Sequence, residues 1–234
     1  MATNQTPAWN LFGSPEELAE ALARKVADTL RQAIERRGLG FLAVSGGTTP
    51  ALFFRSLSTR EIDWEKVTVV LVDERFVDRA SPRANAGLVR ANLLQNKAAG
   101  ANFVDLYWPS ATVEGAVAEL GERLRALPWP LDVAMLGMGT DGHTASFFPD
   151  AANLAALLDP AAADMVLPVH AANAGEPRLT LPLARLADAG LLVLHIEGGQ
   201  KRQVLEDALA EKRDLPVCSV FQGSRTQVQV FWAP

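Results

Sequence analysis

The chain has 234 residues, of which 49% are hydrophobic and 21% charged, so it is not an intrinsically disordered protein. Its net charge of −5 contains no block of like charge, which argues against binding nucleic acid or a membrane surface. No apolar stretch reaches the roughly 18 residues of a membrane-spanning helix. The single cysteine, Cys218, excludes an internal disulfide, and residues 1–9 show no secretion signal. We therefore expect a cytoplasmic protein with no nucleic-acid and no membrane partner.

Helices and strands alternate along the chain. The segment 14–17, Ser-Pro-Glu-Glu, combines an N-cap residue, a proline at the first helical position and a capping-box glutamate, and it predicts a helix that ends near Gly38. A strand over 39–44 then enters the glycine-rich loop 45–50, and a helix follows over 51–57. The other predicted strands are 67–72, 131–136, 190–196, 216–221 and 226–232, and the other predicted helices are 85–94, 112–127, a short segment from Thr144, and 199–211.

This alternation predicts an α/β fold with a doubly wound, mainly parallel sheet flanked by helices on both faces, in a Rossmann-like topology. No linker divides the sequence, so we expect one domain over residues 1–234. The segment 150–177 is rich in Ala, Asp, Pro and Asn, and it is predicted to be a surface excursion or a lid.

A glycine-rich loop follows the apolar strand 131–136. It contains Gly137, Gly139 and Gly142, which allow backbone N–H groups to approach a ligand closely, and then His143. An unperturbed histidine titrates near pH 6.5, so it is suited to moving protons at neutral pH. The sequence predicts that the chemistry takes place at this loop.

The same loop has the G-x-G-x-x-G spacing of dinucleotide-binding proteins, but its context argues against a dinucleotide. Such a site needs a long helix after the third glycine and an acidic residue about 20 residues later. Here Pro149 ends any helix after barely two turns, and the later acid Asp159 precedes a proline. A tight turn without a ligand would explain the glycines but not the histidine.

The loop 45–50, Ser-Gly-Gly-Thr-Thr-Pro, places two glycines and several hydroxyl groups at a helix N-terminus. Backbone donors and the helix dipole make such a place suitable for a phosphate or a sugar hydroxyl. It is not a Walker A loop, because no lysine follows the second glycine at the required position. Ordinary N-capping would explain the same residues. Two such loops in one sheet favour a binding site.

Three further places carry an arginine or a lysine, Arg75, Arg178 and Lys201, that is a candidate ligand for an anion. Asp73, Glu74 and Arg75 follow a buried strand, so we expect all three at the rim of the sheet or in a cleft. Arg178 precedes an apolar segment. Lys201 lies in the first turn of a helix, where a cation opposes the helix dipole unless an anion is near. Ordinary solvated charge is the alternative at each place.

The remaining titratable side chains give no sign of a metal site. His170 and His195 lack metal-type partners three or four residues away, and no cluster has the spacing of a zinc site. We expect His195 to be a hydrogen-bonded core residue and Cys218 to be buried packing. We predict that the protein holds no metal.

Taken together and in order, these motifs resemble the 6-phosphogluconolactonase family over nearly the whole chain. The block 136–149 is the most specific part, whereas the loop 45–50 alone would not separate this family from its relatives. The resemblance implies hydrolysis of 6-phospho-D-glucono-1,5-lactone to 6-phospho-D-gluconate, the second step of the oxidative pentose phosphate pathway, without a cofactor. The other motifs that carry it are 73–75, 81–85, Arg178 with Thr180, and 198–201.

The resemblance also implies roles for individual residues. His143 would be the general base that activates water towards the C1 carbonyl, Asp141 would orient the loop or the imidazole, and Arg75 would stabilise the oxyanion or orient the substrate. The 6-phosphate would be held by Arg178 and Lys201 with the first glycine loop. The full set expected to bind substrate is Gly46, Gly47, Thr48, Asp73, Asn85, Gly139, Arg178 and Lys201. A small sugar phosphate is the implied partner, and the oligomeric state stays open, a monomer included.

Two alternatives remain. Glucosamine-6-phosphate deaminases share the fold and the Asp-Gly-His, but they carry a glutamate before the closing proline and usually a tyrosine after Asp-Glu, where this sequence has Phe148 and Arg75. A phenylalanine cannot orient or charge an imidazole, which favours the lactonase. A non-catalytic sugar-phosphate sensor is the other alternative. Regulators of that kind carry a DNA-binding helix-turn-helix, for which the acidic charge and short N-terminal region give no support.

Overall fold

The computed structural model describes residues 6–234. Residues 1–5 lie outside this range, so the expectation of no secretion signal stays a prediction. The strands are β1 (Ala8–Leu11), β2 (Gly40–Val44), β3 (Val67–Leu71), β4 (Asp73–Arg75), β5 (Asn102–Val104), β6 (Val133–Leu136), β7 (Leu167–Val169), β8 (Arg178–Thr180), β9 (Leu191–Glu197) and β10 (Gln229–Ala233). The helices are α1 (Pro15–Arg37), α2 (Ala51–Ser58), α3 (Asn85–Asn92), α4 (Val113–Arg125), α5 (Leu154–Leu158), α6 (Leu183–Leu186), α7 (Gly199–Leu209) and α8 (Pro216–Gly223).

Seven parallel strands form the central sheet in the order β1-β10-β9-β6-β2-β3-β5. Every residue of β2 and of β6 is buried, as in a strand that is covered on both faces. The α/β prediction with a mainly parallel sheet is therefore confirmed. Among the described residues, no helix combines the length and apolar character needed to cross a membrane.

The first helix begins and ends where its caps predict. The hydroxyl of Ser14 accepts the backbone N–H of Glu17 at 3.2 Å, and Gly38 ends the helix at φ +80°. The carboxylate of Glu17 reaches one residue further back than in a capping box, accepting the N–H of Gly13 at 3.0 Å. The apolar face of α1 is fully buried and packs against α2.

A second, three-stranded antiparallel sheet, in the order β4-β8-β7, was not predicted. Its first strand consists of Asp73, Glu74 and Arg75, and the expectation that all three charges lie at a rim or in a cleft is wrong for Glu74, which is 2% exposed. The Glu74 carboxylate accepts three backbone N–H groups, from Arg75, Asn85 and Ala86, at 2.7 to 2.8 Å. These donors satisfy the buried carboxylate and anchor the start of α3.

Two further predictions of secondary structure are wrong. The predicted strand 216–221 is helix α8, because Pro216 occupies the first helical turn. Cys218 therefore lies on a helix, half-buried, with its Sγ 3.6 Å from the carbonyl oxygen of Ala208. The predicted helix from Thr144 does not form, since the Thr144 hydroxyl donates to the Gly137 carbonyl at 2.7 Å and Ala145 adopts φ +49°.

The segment 150–177 lies between β6 and β8 and is only partly regular. It contains α5, β7 and a short 3-10 turn over Ala172–Ala174. Strand β7 joins the second sheet, so this end of the segment is tied to the rest of the fold. The expectation that the segment acts as a lid stays a prediction.

Candidate active site

A cleft of about 230 Å³ opens at the carboxyl ends of β2 and β6. These strands are neighbours, but the chain leaves β2 towards β3 on one side and leaves β6 towards β9 on the other. Such a reversal of direction is where open α/β sheets bind ligands. The cleft is lined by 45–50, 136–139, Asp73, Arg75, Asn85, His143, Ala145, Arg178, His195 and Lys201.

His143 and Asp141 form a close pair in the second glycine loop. Oδ1 of Asp141 lies 2.5 Å from Nδ1 of His143 and also accepts the backbone N–H of His143 at 3.1 Å. A carboxylate in this position favours the tautomer with the proton on Nδ1, which leaves a lone pair on Nε2. Across residues 6–234, Nε2 of His143 has no hydrogen-bond partner.

Gly139 is required for this arrangement. A Cβ atom at position 139 would lie 2.3 Å from Cε1 of His143 and 2.5 Å from Oδ1 of Asp141. The N–H of Gly139 also donates to the carbonyl of His143 at 2.9 Å, which closes the loop. The glycine therefore leaves room for the imidazole and its carboxylate.

Phe148 contacts both the imidazole and one arginine of the cleft. Its ring stacks on that of His143 with centroids 4.4 Å apart, and the guanidinium carbon of Arg178 lies 5.7 Å from its centroid. Phe148 is buried. A carboxylate at position 148, as in the deaminase pattern, would lie beside the imidazole, whereas the phenyl ring supplies an apolar wall.

The first glycine loop lies against α3 and β4. A Cβ atom at Gly46 would lie 1.9 Å from Oδ1 of Asn85, so only glycine fits beside this amide. Nδ2 of Asn85 donates to the carbonyl of Asp73 at 2.9 Å, and the hydroxyl of Ser146 donates to Oδ2 of Asp73 at 2.6 Å. Gly47 adopts φ +89°, which favours glycine. Gly47 and Thr48 also line the cleft.

Arg75 and Arg178 contribute two cations to the cleft. Arg75 donates to the carbonyl of Arg83 at 2.6 Å, and Arg178 donates to the carbonyl of Ala174 at 2.7 Å. Burial is the largest cause that lowers the pKa of Arg178, while the carboxylate of Asp73 acts in the opposite direction. Both buried Nε atoms lack a hydrogen-bond partner among the described residues.

Lys201 lies at the cleft in the first turn of α7, as predicted. In the described part of the chain it forms no ion pair, although it stands at the positive end of a helix dipole. Gly198 precedes this helix at φ +89° and turns the chain from β9 into it. An anion in the cleft would remove the unfavourable interaction between Lys201 and the dipole.

His195 is a cleft residue that the sequence did not indicate as such. Its prediction as a hydrogen-bonded core histidine is confirmed, since it is buried and its Nε2 lies 3.1 Å from Oε1 of Glu197. Its ring also lines the cleft. Its position near the carboxyl end of β9, six residues before Lys201, is the feature of the sequence that could have predicted its place in the cleft.

All but one of the residues predicted for the site line this cleft. The exception is Asp141, which does not line the cleft but contacts His143. Within residues 6–234, no group of three or more His, Cys, Asp or Glu side chains is placed to hold a metal ion.

A family model described as glucosamine-6-phosphate isomerases/6-phosphogluconolactonase matches residues 13–232. The chain belongs to this family. The match to the glucosamine-6-phosphate isomerase/6-phosphogluconolactonase family includes both glycine loops, both arginines and Lys201, and therefore the entire cleft.

Curated relatives in the same family match nearly the full length of the chain. The 6-phosphogluconolactonase of Mesorhizobium japonicum is 58% identical over 226 residues, covering 97% of this chain and 95% of that protein. The 6-phosphogluconolactonase of Rhizobium meliloti is 51% identical over 227 residues, covering 96% of this chain and 98% of that protein.

Solved structures agree with this assignment. The crystal structure of a 6-phosphogluconolactonase from Shewanella baltica superposes with a TM-score of 0.94 at 36% identity, covering 98% of both chains. A monomeric glucosamine-6-phosphate deaminase superposes with a TM-score of 0.77 at 17% identity, a likeness that concerns the fold alone.

Proposed function

We propose that this protein hydrolyses 6-phospho-D-glucono-1,5-lactone to 6-phospho-D-gluconate, the second step of the oxidative pentose phosphate pathway. The observation that carries the proposal is the Asp141–His143 pair. Across the described residues 6–234, Nε2 of His143 has no hydrogen-bond partner, and the cleft also holds Arg75, Arg178 and Lys201. The names of the full-length relatives support the same reaction.

His143 is the proposed general base. Its Nε2 takes a proton from a water molecule as the water oxygen forms a bond to C1 of the lactone, while Asp141 holds the Nδ1 proton and stabilises the imidazolium. The tetrahedral intermediate collapses by breaking the bond between C1 and the ring oxygen, which receives the proton from His143. The products are the carboxylic acid, which ionises, and the sugar hydroxyl. A lactone is electrophilic enough that this route requires no cofactor and no covalent nucleophile.

Cations and backbone donors are proposed to hold the two ends of the substrate. Arg75 stabilises the oxyanion that develops at C1 or orients the ring. Arg178 and Lys201, with Gly47 and Thr48, bind the 6-phosphate, since a phosphate would provide Lys201 with the anion that its position at the N-terminus of α7 favours. This remote binding fixes the ring relative to the base.

The polar residues between these ends are proposed to contact the sugar hydroxyls. The carboxylate of Asp73, which the Ser146 hydroxyl fixes at the cleft wall, accepts hydrogen bonds from sugar hydroxyls. Asn85 fixes the backbone of Asp73 and fills the space beside Gly46. Gly46 leaves room for the Asn85 amide at the wall of the cleft, and Gly139 leaves room for the imidazole.

We further propose that residues 1–234 act as one α/β domain. Strand β1, close to the N-terminal end, pairs with β10, close to the C-terminal end, so both ends complete the same sheet. A cytoplasmic location is part of the proposal, since the single cysteine is compatible with a reducing compartment.

The purified protein tests the proposal in an assay coupled to glucose-6-phosphate dehydrogenase and 6-phosphogluconate dehydrogenase, with spontaneous lactone opening subtracted. We expect the rate of the 6-phosphogluconate dehydrogenase reaction to increase in proportion to the amount of added protein. Ammonia release from glucosamine 6-phosphate would indicate the deaminase instead. Tight binding of 6-phosphogluconate without turnover would indicate a sensor.

A further inference from the structure

Arg75 and Arg178 lie directly opposite each other in the antiparallel pair of β4 and β8. Like charges in opposed positions destabilise a sheet, and these two side chains are mostly withdrawn from water. Their Nε atoms find no hydrogen-bond partner in the described residues. Neighbouring anions therefore stabilise the pair, and the carboxylate of Asp73 is one that acts on Arg178.

The carboxylate of Glu176 is the anion that lies near both arginines. Its Oε1 lies 3.7 Å from Nε of Arg75 and 3.9 Å from Nη2 of Arg178, while its Oε2 lies 2.8 Å from Nη1 of Arg83. Only 13% of the Glu176 side chain is exposed, so these charges are weakly screened. The distances to Arg75 and Arg178 exceed those of hydrogen bonds, which leaves donors of both arginines available to a ligand.

We propose that Glu176 is an internal counter-ion of the cleft, a positioning residue that pairs with Arg75 and Arg178 and competes with anionic ligands for them. The inference rests on the proposed function, because it takes the ligand to be a sugar phosphate. Hydrolysis converts a neutral lactone group into a carboxylate, so the product carries one more negative charge than the substrate. Repulsion from Glu176 therefore weakens product binding more than substrate binding, and it favours product release.

Titration calorimetry with 6-phosphogluconate tests this in the full chain. Glu176→Gln keeps the shape of the side chain but removes its charge, and we expect it to bind roughly three- to tenfold more tightly than the wild type. Glu122→Gln is the matched control, since it makes the same change in net charge at an exposed pair with Arg125 outside the cleft. Its affinity should equal that of the wild type.

A purely structural role for Glu176 predicts the opposite sign, because misplaced arginines would bind the product less well. Unchanged or weaker binding by folded Glu176→Gln would therefore overturn the inference, as would equal tightening by Glu122→Gln. Glu176→Asp keeps the charge and should restore affinity close to the wild-type value. Equal tightening by Glu176→Asp would also contradict the inference.

A second variant covers the case in which Glu176→Gln does not fold. Arg83→Met removes the closest partner of Glu176, so the carboxylate pairs more strongly with the cleft arginines. The affinity for 6-phosphogluconate should therefore fall further in Arg83→Met than in the control variant Arg125→Met. Equal affinities of these two variants would overturn the inference. Failure of the proposed function can be told apart from failure of this inference, because the wild type would then not hydrolyse the lactone. The affinities of the same variants would in that case be compared with inorganic phosphate as the probe.

Discussion

The imidazole of His143 stacks on the phenyl ring of Phe148, with ring centroids 4.4 Å apart and planes inclined by 27°. This contact and the Asp141 carboxylate fix the ring from two directions. The proposed base thus contacts an apolar neighbour as well as a charged one.

Replacing Phe148 tests the importance of that stacking. We expect Phe148→Leu to fold, to lose about 1–3 kcal/mol of stability because a buried ring is reduced, and to lower kcat about tenfold or more because the imidazole is less well oriented. The coupled lactonase assay and thermal unfolding give the two values. A normal kcat in the destabilised variant would show that the ring does not orient the base.

Gly139→Ala places a methyl group where the imidazole lies. Because its Cβ would be 2.3 Å from Cε1 of His143, we expect displacement of the ring and a loss of kcat of about 100-fold, with the fold retained. Gly87→Ala is the matched control on α3, where a Cβ meets nothing within 4 Å. It should leave kcat unchanged and stabilise the helix by up to about 1 kcal/mol. Equal kcat values for the two variants would contradict the role of Gly139.

Lys201→Met separates ligand binding from stability. Loss of the Lys201 ammonium group, which is proposed to bind the 6-phosphate, should raise KM for the phosphorylated lactone about tenfold or more. The rate with unphosphorylated 1,5-gluconolactone should stay nearly unchanged. Removing a cation from the first turn of α7 should at the same time raise stability by about 0.3–1 kcal/mol. Arg202→Met, which changes the next residue outside the cleft, should leave KM unaltered. A parallel rise in KM for both lactones would argue against phosphate binding by Lys201.

Glu20 links α1 to the end of α2 and gives stability a pH dependence. Hydrogen bonds from Ser56, the largest cause, and from Arg60 lower the pKa of Glu20 below that of a free glutamate. The contribution of ionised Glu20 to stability is therefore fully present above the pKa that Glu20 has in the unfolded chain. It is lost as the pH falls through the lower pKa of Glu20 in the folded protein. Because half of the side chain is exposed, we expect Glu20→Gln to cost less than about 1 kcal/mol at pH 7. In urea denaturation, the difference in free energy of unfolding should shrink as the pH is lowered below the unfolded pKa of Glu20. A difference that is constant with pH would refute the ionic contribution.

The parallel sheet could be predicted because its central strands are continuous apolar runs that end in glycine-rich loops. The second sheet could not, because β4, β7 and β8 have three residues each, too few to establish an alternation of apolar and polar residues. Glu74 was misplaced for the same reason. Its burial depends on three backbone donors, two of which belong to a helix eleven and twelve residues away.

Most residues that line the cleft could be predicted from the sequence. Glycine-rich turns and charged residues at strand ends mark the cleft in the sequence, and parallel strands bring such ends to one edge. The stacking of Phe148 on His143 and the position of Glu176 between two arginines depend on the orientation of the side chains. No spacing in the sequence encodes these contacts.

The most direct test of the account is the turnover of His143→Asn. Asparagine fits the space and can bond to Asp141, but it cannot accept a proton from water. We predict that kcat for 6-phosphogluconolactone falls by about 10²–10⁴-fold, while 6-phosphogluconate still binds and the unfolding temperature stays close to that of the wild type. Near-normal turnover by the folded variant would contradict the assignment of His143 as the base.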